Sequence, residues 1–166
     1  MDYDHRGRAL VISIEQFPNL GLMARVDTDH DVRAACARFG ALGFEVELLK
    51  DLTEDKLRRE LKKASEDKRN STVDCFVCVI FSYGDEKHIC STDNKIEIKS
   101  LMAYFKGNEC PFLVQKPKLF FIQTFKEKLK MRRMPTVSPQ TQKYVHFQLK
   151  RISCWCIQMC KVRHKY

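Results

Sequence analysis

Val73 to Phe81 reads VDCFVCVIF, nine residues of which Asp74 alone is charged. An amphipathic helix or a half-exposed strand would break such a run with polar residues at its own period, and here no such break occurs. β-Branched and aromatic residues dominate the run, so it reads as a strand covered on both faces. A strand of that kind requires a layer of structure above and below its sheet.

The flanking segments supply those layers. RALVISIEQF (8–17) and PKLFFIQT (117–124) are strands of similar character, and FEVELLK (44–50) alternates Phe44, Val46 and Leu48 as another. Between them, DTDHDVRAACARFGALG puts Val32, Ala35, Cys36, Phe39 and Leu42 at helical spacing, with Thr28 or Asp29 as the N-cap and Gly43 at the end. LTEDKLRRELKKASED sets Leu57, Leu61 and Ala64 on one stripe, and IEIKSLMAYF (96–105) reads as a short helix. Alternating strands and helices predict an α/β fold in three layers, with a mainly parallel central sheet flanked by helices. Ligands gather beyond the carboxyl ends of such strands. Those ends are FSYGDE (81–86) and QTFKE (123–127).

Charge divides the chain. Residues 1–125 carry 19 Lys+Arg against 20 Asp+Glu, whereas residues 126–166 carry 11 against one, Glu127. The reading is a near-neutral domain over 5–125 and a basic, solvated tail over 126–166. A nucleic-acid or anionic-membrane role for that tail would rest on charge alone, because it holds no recognised nucleic-acid motif. No stretch reaches the ~20 apolar residues that span a bilayer. The start MDYDHRGRAL is too acidic and polar for a signal peptide, so a cytoplasmic protein is expected.

Cys36, Cys75 and Cys78 sit in apolar runs as reduced core thiols. Cys154, Cys156, Cys160 and His164 match no familiar zinc spacing, and neither a metal nor a cofactor is expected. His88 and Cys90, two residues apart, read as a solvated turn.

Three stretches carry a family resemblance over roughly residues 5–125. RGRALVISIEQF, ARVDTDHDVRAACARFGALGFEVELLKDLTEDKL and YFKGNECPFLVQKPKLFFIQ resemble, in order, segments of the large subunit of caspases, the cysteine proteases that cut after aspartate. The family's S-H-G signature aligns with Ser82, Tyr83 and Gly84, and its Q-A-C-R-G signature with Gln123, Thr124, Phe125, Lys126 and Glu127. The resemblance therefore implies that Tyr83 stands at the catalytic histidine position and Phe125 at the cysteine position, 42 residues further on. It also implies that Gly84 is the backbone donor of the oxyanion hole. Arg25 and Gln123 are implied remnants of the pocket for the substrate's aspartate.

Cysteine proteolysis needs a thiolate that attacks and an imidazole that activates it and protonates the leaving amine. A phenyl ring has no nucleophile, and a phenol ordinarily keeps its proton at neutral pH. The expectation is a catalytically inactive caspase-like protein that modulates an active caspase. Family membership alone would imply an active aspartate-directed endopeptidase instead.

In the tail, KMRRMPTVSPQTQKYVHF resembles the family's closing segment, with Met134, Pro135, Thr136, Val137, Lys143 and Phe147 in matching places. Met134 to Val137, Tyr144 and Phe147 are thus expected in a dimer-interface strand that meets an active caspase. A rival alignment sets CWCIQMCKVRHKY against a small-subunit helix and puts Gln148 where the family has an arginine. With 41 residues after Phe125, the small-subunit part reads as truncated. No aspartate follows Asp93, so maturation by cutting after aspartate is not expected in that region.

Overall fold

The computed structural model describes residues 5–25, 29–126 and 151–157, the last as a backbone path. Strand β1 (His5–Ser13) pairs in parallel with β2 (Phe44–Lys50) on one side and with β3 (Val73–Tyr83) on the other. Strand β6 (Lys118–Phe125) continues the parallel sheet beyond β3, and β7 (Arg151–Ile157) runs antiparallel against β6. The order is β2-β1-β3-β6-β7, so β3 lies at the centre and both its faces are covered, as its unbroken apolar run requires.

Helix α1 (Asp29–Ala41) covers one face. Its Val32 is buried, and Ala35, Cys36 and Phe39 pack half-buried over Ala9, Val11, Val77 and Val79. The other face is covered by α2 (Glu54–Glu66), α3 (Ile98–Met102) and single helical turns around Phe105 and Leu113. Leu57 and Leu61 are fully buried there among Leu10, Ile12, Phe76, Ile80 and Phe120, each burial worth about 2 kcal/mol. Phe105 sits 5.0 Å from both Phe76 and Phe120. Thr53 caps α2 by accepting the Lys56 N–H at 3.4 Å, while Asp93 accepts the Glu54 N–H at 2.8 Å.

Several details depart from the sequence reading. Strand β1 ends at Ser13, not Phe17, because Asp51 at the end of β2 accepts the N–H groups of Glu15 and Gln16 at 2.7 and 2.9 Å and draws the chain off the sheet. Asp29 is the first helical residue and not a cap; its carboxylate is held by Arg33 and Lys50. Thr28 lies outside the described residues. Leu42 and Leu48 are exposed: α1 has ended, and β2 is an edge strand.

The stretch expected as one helix over 96–105 begins instead in a hairpin, β4 (His88–Cys90) against β5 (Lys95–Glu97), before α3 starts. The predicted solvated turn at His88 and Cys90 is therefore a strand with Ile89 and Cys90 buried. In the tail, Arg151–Ile157 is not a solvated extension but the last strand of the sheet. That strand also replaces the helix which the rival alignment would place from Cys154 onward. Residues 134–147, including Met134, Pro135, Thr136, Val137, Tyr144 and Phe147, lie outside the described residues, as does Gln148.

Candidate functional site

Parallel pairing of β3 and β6 brings the two predicted strand ends together. Ser82 registers with Thr124, and Tyr83 with Phe125. The first residue beyond β3, Gly84, donates its N–H to the Phe125 carbonyl at 3.1 Å. Tyr83 also packs on Phe17, with ring centroids 5.0 Å apart.

Arg25 arrives from the loop after β1. Asp51, with its left-handed backbone (φ 49°), pins that loop through Glu15 and Gln16, and Arg25 N–H donates to the Glu15 carbonyl at 2.9 Å. The Arg25 side chain is buried, with Nη1 donating to the Ile14 carbonyl at 2.9 Å. Its guanidinium carbon stands 4.1 Å from the centroid of the Phe125 ring, a cation over an aromatic face. Burial pulls the guanidinium down to about 10, against the opposing pull of Tyr83, Glu15, Asp31 and Asp51.

Among the described residues, two donors at this end of the sheet are buried and unmet: Arg25 Nη2 and Gln123 Nε2. Leaving such a donor without a partner costs about 1–3 kcal/mol. Gln123 sits on β6 two residues before Phe125, so the two share a face of the strand.

Packing accounts for Gly84. A Cβ there would meet the His88 carbonyl oxygen at 2.2 Å and the Ile89 Cα at 3.0 Å, where the β4–β5 hairpin bridges back to the end of β3. Ser82 Oγ donates to the Cys90 carbonyl and fastens the same junction. Asp85 accepts from Lys95, from the Lys87 and His88 N–H groups and from the His88 ring, and these contacts hold its carboxyl well below the usual carboxylate range.

No thiol among those with a resolved shift is primed as a nucleophile. Burial pushes up the Cys36, Cys75, Cys78 and Cys110 thiols, away from the thiolate form that attacks. His88 and Cys90, two apart on one short strand, share a face, and the His88 ring meets Asp85 at 3.1 Å. Among the described residues no group of three or more metal-ligating side chains converges. The side chains of Cys154, Cys156, Cys160 and His164 lie outside the described residues. No helix among the described residues is long and apolar enough to cross a membrane.

Asp51 was not singled out in the sequence, although it positions the loop that carries Arg25. Its signal was an aspartate at a strand end, one of the few residue types that tolerate the left-handed backbone. The match to known proteins follows this geometry. The family model for the caspase domain matches residues 6–155, a span from β1 into β7. The chain belongs to the caspase family.

Caspase-6 of Rattus norvegicus is 41% identical over 124 residues, covering 74% of this chain and 44% of its own length. Caspase-3 of Mesocricetus auratus is 41% identical over 127 residues, with the same coverage of 74% and 44%. Caspase-7 of Gallus gallus is 36% identical over 124 residues, covering 74% of this chain and 40% of its own length. The chain thus spans less than half the length of these caspases.

Proposed function

We propose that this chain is a non-proteolytic caspase homologue that acts in apoptosis or a related pathway by binding an active caspase and changing its activity. The register that sets Tyr83 beside Phe125 carries this reading. At the adjoining strand ends where the resemblance assigns an imidazole and a thiol, a phenol and a phenyl ring stand instead. Removing one member of such a pair removes most of the rate enhancement, and here both are replaced. The Gly84 N–H, the implied donor to a developing oxyanion, is bound to the Phe125 carbonyl.

Association with another caspase would use an exposed strand edge, which offers unpaired backbone to a second chain. Among the described residues the sheet ends in β2 and β7, and segment 134–147 is the proposed contact with the partner.

The test is co-expression with candidate caspases of the same organism, followed by pull-down and by the rate of cleavage of an aspartyl peptide. A caspase is expected to co-purify and its rate to change. If none binds and no rate moves, the regulatory reading fails. The chain alone is expected to cleave no aspartyl peptide, and turnover that survives a Cys90→Ala, His88→Ala double substitution would overturn the assignment of Tyr83 and Phe125 to the catalytic positions.

A further inference from the structure

Register puts two cysteines on the more open face of the last strand. In β7, Cys156 lies opposite Leu119, Trp155 opposite Phe120 and Cys154 opposite Phe121. Directly opposed residues of an antiparallel pair share a face. Phe120 is 1% exposed and packs with Phe76 and Phe105, so Trp155 falls on the closed face. Leu119 and Phe121 are only half-buried on the face that α1 covers, and Cys154 and Cys156 fall there, on an edge strand among the described residues.

An antiparallel strand advances about 3.4 Å per residue, so the Cβ atoms of successive same-face residues stand about 6.8 Å apart. A disulfide brings its two Cβ atoms to about 3.5–4.5 Å. The reduced pair therefore fits β7 and the oxidised pair does not. Closing a gap of about 2–3 Å folds the backbone at Trp155 and breaks the ladder opposite Phe120.

We propose that Cys154 and Cys156 are a redox latch: as thiols they leave β7 zipped to β6, and as a disulfide formed by a peroxide they release it. One thiolate attacks a peroxide oxygen, the O–O bond breaks, and the departing hydroxide takes up a proton, leaving a sulfenic acid on that sulfur. The second sulfur forms the S–S bond as the S–O bond breaks, and that oxygen leaves as water. Two thiols and one hydrogen peroxide thus yield one disulfide and two waters. Core thiols compete poorly, because burial holds Cys36, Cys75, Cys78 and Cys110 away from the thiolate form. The inference goes beyond caspase regulation and stands without it, since no caspase enters its test.

The full chain is treated with dilute hydrogen peroxide. Its tryptic peptide 152–161 is expected to lose two hydrogens, with Cys160 alone in that peptide still open to alkylation. Trp155 is the only tryptophan in the chain, so fluorescence reports on β7 directly, and the emission should move to longer wavelength. Backbone amides of 151–157 should exchange with solvent about tenfold or more faster. A thiol reductant should reverse all three changes. Cys154→Ser and Cys156→Ser should each keep emission and exchange at their reduced values in peroxide, whereas Cys160→Ser should respond as wild type does.

A disulfide between Cys154 and Cys156 that leaves emission and exchange unmoved overturns the latch, because the ladder then tolerates the bond. A peptide that keeps both thiols overturns it too, as does pairing of either cysteine with Cys160 or with a second chain. These outcomes are read on the wild type, so no variant needs to fold. An emission shift that persists in Cys156→Ser counts equally against it.

Discussion

Arg8 and Arg25 are buried to the same degree, 8% and 7% exposed, at opposite ends of the parallel strands. At the amino end, Arg8 donates to Asp67 at 2.6 Å and to Glu47 at 2.8 Å, so its charge is met twice. At the carboxyl end, Arg25 meets one carbonyl and a ring, and among the described residues Nη2 meets nothing. Burial alone therefore does not tell what a cation is for. The first arginine ties β1 to β2 and to the turn after α2. The second is held where packing gains little from a charge.

The strongest way to break this contrast is Arg8→Met. It removes one of the two arginines that pair with Asp67, and a loss of about 2 kcal/mol is expected from the urea midpoint, below that for a broken buried pair because Arg69 still holds Asp67 at 2.9 Å and Glu47 is 40% exposed. Acid is expected to act less severely on the same end. Burial opposes the ionisation of Asp67, but hydrogen bonds from Arg69 and the charges of Arg8 and Arg69 outweigh it and hold the carboxyl below its ordinary value. A depressed carboxylate stabilises the fold above its unfolded value of about 4 and loses that contribution as pH falls through the folded value. Urea midpoints measured down this range should fall, and less steeply in Arg8→Met.

Arg25→Met should have the smallest effect, with stability unchanged or raised by up to about 1 kcal/mol. It removes a desolvated charge and an unmet donor, while a thioether still packs on Phe125. If this substitution costs as much as Arg8→Met in the same urea titration, the distinction between the two arginines collapses.

Much of the scaffold was legible in the sequence, because long strands and helices impose their period on the residues. VDCFVCVIF could only be central, and Leu57, Leu61 and Ala64 could only face a core. The β4–β5 hairpin escaped because three residues are too few to show an alternation. Residues 151–157 were ambiguous for another reason: an apolar run acquires strand geometry only when a neighbour such as β6 offers its hydrogen bonds.

The site divides in the same way. Tyr83 and Phe125 meet because both end parallel neighbours, which alternation of strand and helix already implied. The stacking of Arg25 on Phe125 was not legible, since it depends on how Asp51 turns the loop after β1, a contact between residues far apart in sequence.

The antiparallel run of β7 also sets how the sheet would tear. Ile157 lies opposite Lys118, and His5 opposite Val73, so the first and last described residues both emerge at the amino end of the parallel strands. Tension applied between them pulls across the sheet and loads the β6–β7 hydrogen bonds one after another from Ile157, as a zipper opens. β1, held by a partner on each side, yields later. Under a pulling force the outermost strand peels away first, with Arg25 and Phe125 still in place at the far end.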